Sequence, residues 1–247
     1  MEMKGQRVLV TGGTRGIGFE LVRAFSRAGA EVAFCGRADQ GPDVPVEGES
    51  KPIYFKTDLA SADGVEELAD RVREEVGRPT ILVNNAGVQF NHDWMETAPS
   101  DRWGWARAEV EVNLLAPLGL TALLLEDLLA APEAAIVNLT SILAGAPKRS
   151  APVYSATKAA LRSFTMGLRY QLEDSPQIRL VEVIPPLVDT AMTAGRGSGK
   201  MDPAEAADAI VQGLKAGKDE IWLGKAKIIR TLQRVLPGVA RKILRGA

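Results

Sequence analysis

Tyr154 and Lys158 stand four residues apart in a stretch, residues 152–173, that reads as a helix. Ser150 is placed to cap it, Pro152 fits its first turn, and the next proline is Pro176. On such a helix the two side chains share a face, separated by about 6 Å along the axis. A phenol beside an ammonium is a candidate proton donor. The cation favours the phenolate, so the phenol is expected to ionise below its ordinary pKa of about 10. Ser141 follows the apolar run Ala134–Leu139, a buried strand whose end can carry a hydroxyl to the same place. Taken alone, Tyr-x-x-x-Lys is a weak signal, and a solvated pair on a surface helix is much the commoner reading. The rest of the chain decides between the two.

A strand over residues 6–11 runs directly into TGGTRGIG, and a helix over 17–28 stops at Gly29 before a second strand at Glu31–Gly36. Strand, glycine turn, helix and strand in this order are the setting of a phosphate-binding turn. Gly12, Gly16 and Gly18 let the backbone approach a pyrophosphate, and the free N–H groups at the helix start point at it. The second strand ends in Gly36 and Arg37, with Asp39 two residues on. An acid there takes a ribose 2′-hydroxyl, whereas an arginine accommodates a 2′-phosphate. Arg37, with Arg15 inside the turn, favours NADP(H); NAD(H) is the alternative.

The bounds are those of a soluble globular α/β chain. Of 247 residues, 46% are hydrophobic and 25% charged, enough for one core. A net charge of −1 argues against a nucleic-acid footprint over the whole domain. The lone cysteine, Cys35, excludes an intrachain disulfide and reads as a small buried hydrophobe. No export signal is legible at the N-terminus, and the apolar region 116–136 is interrupted by Glu126, Asp127 and Glu133, so a cytoplasmic location is expected. His92 has no Cys or His cluster around it and reads as a loop residue, with no metal implied.

Further elements follow in order. Residues 38–51 form a Pro- and Gly-rich loop where a crossover helix is usual. A strand over 52–57 ends at Asp58, a carboxylate on the ligand side of a parallel sheet. A helix over 61–76 leads to a strand over 80–84, followed by Asn85, Ala86 and Gly87. Residues 101–131 read as one long helix, kinked because Pro117 cannot bond the Asn113 carbonyl. Asn113, among apolar neighbours, satisfies backbone groups at the kink, holds a water for the site, or does both. A strand over 177–184 is broken by Pro185-Pro186, and residues 187–202 are glycine-rich and suited to a lid. A helix over 203–215 and a strand over 220–223 complete the unit, which is expected to be one domain over 1–247. Trp94, Leu143, Leu187, Met192 and Met201 suggest an apolar substrate pocket. The tail, residues 225–247, carries seven bases and no acid, with apolar residues recurring at helical spacing. Packing on its own domain or on a twin subunit is the plainer reading of that tail; contact with an anionic membrane is the other.

Together, Thr11-Gly12-(x)3-Gly16-Ile17-Gly18, Asp58, Asn84-Asn85-Ala86-Gly87, Asn113, Ser141 and Tyr154-(x)3-Lys158 resemble the short-chain dehydrogenase/reductase family over nearly the whole chain. The segment from Met201 onward resembles a DltE-like subgroup. The resemblance implies a doubly wound Rossmann fold, with a seven-stranded, mainly parallel sheet and helices on both faces. It implies catalytic roles for Asn113, Ser141, Tyr154 and Lys158. It also implies cofactor contacts at Gly12, Thr14, Arg15, Gly16, Ile17, Gly18, Arg37, Asp58, Leu59, Asn85, Ala86, Gly87, Tyr154, Lys158, Pro185, Val188 and Thr190. Ser141, Leu143, Trp94, Leu187 and Met192 would border a small carbonyl or alcohol substrate, and a homodimer or homotetramer is implied. Pro186 departs from the Pro-Gly usual in the family. The implied activity is hydride transfer between NADP(H) and a carbonyl/alcohol pair, with Tyr154 as general acid and base. A non-catalytic dinucleotide-binding regulator is the rival. It could keep the glycine turn but would have no use for Ser141, Tyr154 and Lys158 in register.

Overall fold

The computed structural model describes residues 1–45 and 51–246. Seven strands form one parallel sheet in the order β3-β2-β1-β4-β5-β6-β7. They are β1 Arg7–Val10, β2 Glu31–Gly36, β3 Ile53–Lys56, β4 Ile81–Asn84, β5 Ala134–Leu139, β6 Ile178–Ile184 and β7 Glu220–Trp222. The central strands β4 and β5 are buried along their full length, as expected where helices cover both faces.

On one face, α1 (Gly16–Arg27) and α6 (Pro203–Lys215) place Leu21, Phe25, Ile210 and Leu214 against Val8, Val83 and Val137. On the other, α2 (Ala62–Glu75) and α4 (Ala116–Leu129) bring Leu68, Val72, Leu120, Leu124 and Leu128 onto Leu9, Leu82 and Ile136. Ser61 caps α2 by accepting from Gly64 N, and Asp202 caps α6 by accepting from Ala204 N at 2.8 Å. The helical stretch Pro99–Leu129 is long and apolar enough to cross a membrane by composition, but Leu120, Leu124 and Leu128 of its α4 part are spent on this core. Strand order reverses between β1 and β4, and the crevice at their C-terminal ends is where such sheets bind ligands.

Three local expectations are corrected. α5 (Pro152–Gln171) is flanked by Ala151 without a side-chain cap; Ser150 lies one residue too early, and its carbonyl accepts from His92 N at 2.9 Å. The long helix is three pieces: α3 (Pro99–Val110), a π-turn over Glu111–Leu115, and α4. The break expected from Pro117 takes the form of that wider turn, closed by Ala116 N donating to Glu111 O. Residues 187–202 are not loose. Val188 pairs with Met201, Asp189 N donates to Met201 O, and Met201 N donates to Leu187 O, both at 2.9 Å. Within that closed base Thr190 and Thr193 cap a short 3₁₀ turn reciprocally. The tail, as its helical spacing suggests, folds as two helices, α7 (Ala226–Val235) and α8 (Pro237–Arg245). Residues 36–45 carry no helix, in keeping with a loop after β2, although residues 46–50 of that loop lie outside the described residues.

Candidate active site

The glycine turn after β1 is shaped by lack of space as much as by backbone freedom. Gly16 has φ of +58°, and a Cβ there would sit 2.9 Å from the Thr190 methyl. A Cβ at Gly18 would meet the Gly12 carbonyl oxygen at 2.2 Å, so only glycine admits the α1 start this close to the turn. Thr11 and Asn85 tie this turn to the end of β4. The Thr11 hydroxyl accepts from Asn85 N and Ala86 N at 3.0 Å, and Asn85 Nδ2 donates to Thr11 O at 2.8 Å.

These elements open onto a cleft of about 330 Å³. Gly12, Thr14, Arg15, Gly16, Ile17, Gly18, Arg37, Asp58, Leu59, Asn85, Ala86, Gly87, Tyr154, Lys158, Pro185, Thr190 and Met192 all line it. At its floor, Gly87 leaves only enough room that an added Cβ would touch Asn113 Oδ1 at 3.3 Å and Lys158 Nζ at 3.8 Å. A long ribbon of backbone amides, two arginines at one end and a phenol with an amine at the other fits an extended dinucleotide.

At the far end, the π-turn turns Asn113 inward, fully buried. Its Oδ1 accepts from Val88 N at 2.8 Å, and its Nδ2 donates to Val88 O at 2.9 Å and to Thr157 Oγ1 at 3.3 Å. Of the two readings left open for Asn113, its side chain therefore satisfies backbone groups, those of the strand β4 extension. Lys158 is buried, and its Nζ donates to Leu139 O at 2.7 Å while standing 5.8 Å from the Tyr154 ring centroid. Burial lowers its pKa to about 8. Ser141, two residues past β5, caps the short turn Ile142–Ala144 by accepting from Leu143 N at 3.1 Å.

The Tyr154 phenol departs from the sequence expectation. Burial pushes it up to about 12; proximity to the Ser141 hydroxyl and to Arg196 opposes this, and Glu109 reinforces it. Desolvation of the phenolate outweighs any help from Lys158, whose ammonium is directed at the Leu139 carbonyl instead. Tyr154 is thus held protonated at neutral pH.

Not every predicted pocket residue reaches the cleft. Trp94 is 42% exposed and stacks on His92, Leu143 belongs to the turn after Ser141, and Leu187, Val188 and Met201 form the closed base behind Thr190. Their places near Tyr154 are taken by Phe90, Ala108 and Val112. Phe90 is backed by Trp105, with ring centroids 5.7 Å apart. Arg196 reaches over from the 187–202 loop and donates to Gln89 Oε1 at 2.9 Å.

Sequence reasoning missed Glu109. It lies one helical turn before Asn113, is fully buried, and its Oε1 accepts from Phe90 N at 2.7 Å. Burial raises its pKa to about 7, against the backbone N–H groups of Phe90 and Tyr154 that favour the carboxylate. Its Oε2 is buried with no hydrogen-bond partner among the described residues. The four-residue spacing from Asn113, in a run of alternating Glu and Val, was the signal available.

The model of the family described as short chain dehydrogenase matches residues 6–200. The chain belongs to that family. It is 36% identical to the uncharacterized oxidoreductase DltE of Bacillus subtilis (strain 168), over 95% of this chain and 94% of the relative. A short chain dehydrogenase from Burkholderia cenocepacia J2315 in complex with NADP superposes with a TM-score of 0.86 at 29% identity, covering 99% of both chains. A family member from Burkholderia phymatum in complex with NAD shares the fold, with a TM-score of 0.82 at 20% identity over 100% of this chain and 97% of that one. The chain is accordingly a DltE-like oxidoreductase of the short-chain family.

The raised carboxyl of Glu109 has a measurable consequence. The unfolded chain ionises it near 4.5 and the folded chain only near 7, so its contribution to stability falls as pH rises through that window. Glu109→Gln cannot titrate. The unfolding midpoint of the variant, relative to wild type, should climb between those two pH values and then level off. A difference that stays flat with pH would overturn the assignment.

Proposed function

We propose that this oxidoreductase is NADP(H)-preferring and interconverts a carbonyl and an alcohol, with Tyr154 as general acid and base. The observation that carries this reading is that Tyr154 and Lys158 of α5 line a cleft that begins at the glycine turn, with the Ser141 hydroxyl, just past the end of β5, beside the phenol. When bound, the nicotinamide dinucleotide supplies or accepts the hydride. In the reducing direction Tyr154, protonated at neutral pH, gives its proton to the developing alkoxide, and the Ser141 hydroxyl donates a hydrogen bond to the same oxygen. Lys158 holds positive charge beside the phenol and favours the tyrosinate left behind. The Asn113 side chain is committed to Val88 and Thr157, so an ordered water in a proton relay falls to its main-chain carbonyl, to which Pro117 offers no N–H. Phe90, Ala108, Val112 and Met192 make the substrate wall beside Tyr154 apolar.

Cofactor preference rests on the charges at the end of β2. Asp39, the acid that could take a ribose hydroxyl, is paired with Lys56 at 2.5 Å, whereas Arg15 and Arg37 line the cleft with no carboxylate within ion-pair distance among the described residues. The NADP bound to the Burkholderia cenocepacia relative supports the same choice. For assembly, Ala156, Ser163 and Gly167 lie exposed along α5, beside the exposed Met166 and Tyr170. We take this smooth strip as the contact of a homo-oligomer.

Three measurements test these readings. Tyr154→Phe should lower kcat for carbonyl reduction about 10²–10⁴-fold while leaving NADPH affinity unchanged; undiminished turnover defeats the assignment, and cofactor binding without turnover of any carbonyl in a broad panel favours the regulatory alternative. In fluorescence titration NADPH should bind more tightly than NADH, and Arg37→Ala should weaken NADPH about 10-fold or more with little change for NADH. Equal affinities would remove the preference. Gly167→Arg should reduce the mass read by light scattering, and an unchanged mass would place the contact elsewhere.

A further inference from the structure

We propose that the outer face of α7 and α8 docks on an anionic lipid surface. The two helices are held to the domain by their inner faces alone. Ala226, Ala240 and Leu244 are buried, Gln233 Nε2 donates to Ile142 O at 2.9 Å, and Arg245 O accepts from Arg149 N at 3.1 Å. What remains outside is not a polar face. Ile228, Val235, Leu236, Val239 and Ile243 are 63%, 68%, 51%, 45% and 50% exposed. Ile228 and Val235 are two turns apart on α7, and Val239 and Ile243 one turn apart on α8, so the row runs along both helices with Leu236 at the corner.

Charge selects the occupant. Residues 225–245 hold seven bases and no acid, while the whole chain is at −1, so the rest of the molecule is net acidic. Among the described residues only Arg230 of the seven has a carboxylate partner, Glu220 at 2.8 Å. Lys225, Lys227, Arg234, Arg241, Lys242 and Arg245 have none. Apolar side chains flanked by unpaired long cations suit the boundary between acyl chains and anionic headgroups, where the stems of Lys and Arg lie along the apolar layer and their charges meet phosphate. A second copy meeting this face symmetrically would bring the two basic rows together, a like-charge contact that opposes association. Anionic lipid neutralises the same row.

The test is co-sedimentation of the full-length protein with vesicles of phosphatidylglycerol and phosphatidylcholine, against vesicles of phosphatidylcholine alone. Binding is expected with the anionic vesicles only and should be released by 1 M salt, which shortens electrostatic range to about 3 Å. Each basic side chain near such a surface is worth about 5-fold in partitioning, so Arg234→Glu with Lys242→Glu should weaken binding at least about 25-fold. Val239→Glu with Ile243→Glu should abolish it. All these positions are exposed, and unchanged thermal melting and NADPH binding would show that the variants fold. Failure to sediment with anionic vesicles, or equal binding to neutral ones, overturns the proposal. So does a fall in oligomer mass for Val239→Glu with Ile243→Glu in protein that never bound vesicles, which would assign the face to a contact between copies.

Discussion

Burying a lysine ammonium costs on the order of several kcal/mol even after relaxation, and the site depends on Lys158 being kept there. One hydrogen bond, to the Leu139 carbonyl, meets it inside the protein. That bond joins α5 to Leu139, the last residue of β5, two residues before Ser141. The amine, the hydroxyl and the phenol are therefore referred to one another through a single strand–helix contact. Asn113 adds the opposite wall by gripping both backbone groups of Val88 and the hydroxyl of Thr157. The π-turn that aims Asn113 inward gives up regular helix geometry for this purpose, as such turns commonly do at functional sites.

Burial controls ionisation throughout the cleft. It raises Tyr154 and Glu109 and lowers Lys158, in each case disfavouring charge. An ammonium four residues along a helix looks, from spacing alone, like the stronger influence on the phenol. Inside the protein it is outweighed, since desolvation acts on the phenolate directly while the ammonium is turned toward a carbonyl.

The strands and helices were legible because each central strand is a short apolar run and apolar residues recur at helical spacing between them, whereas the seven-stranded sheet was implied by the family resemblance. Strands β2, Glu31–Gly36, and β5, Ala134–Leu139, coincide with the runs read from sequence, and the other strands differ by a residue or so at their ends. The glycine turn was legible for a similar reason, as no other residue fits at Gly18. What sequence did not yield depends on contacts between distant segments. Ser150 looked like a cap until the backbone placed it one residue early. Trp94, Leu143 and Leu187 looked like pocket material because they are large and apolar, yet loop geometry turned them elsewhere and put Phe90, Ala108 and Val112 in their stead. Glu109 was hidden because a glutamate in a helix ordinarily faces water.

A polar ladder lies behind the site. Asn84 Nδ2 donates to Asn138 Oδ1, and Asn138 Nδ2 donates to Thr165 Oγ1, both at 2.8 Å and all buried. It fixes which turn of α5 faces β5. Tyr154 lies eleven positions upstream of Thr165 on the same helix. Adding or losing one residue between them would swing the phenol by about 100° around the helix axis. The same change beyond Thr165, toward the helix end at Gln171, would leave the phenol where it is. The fold thus allows length variation on one side of this rung and forbids it on the other.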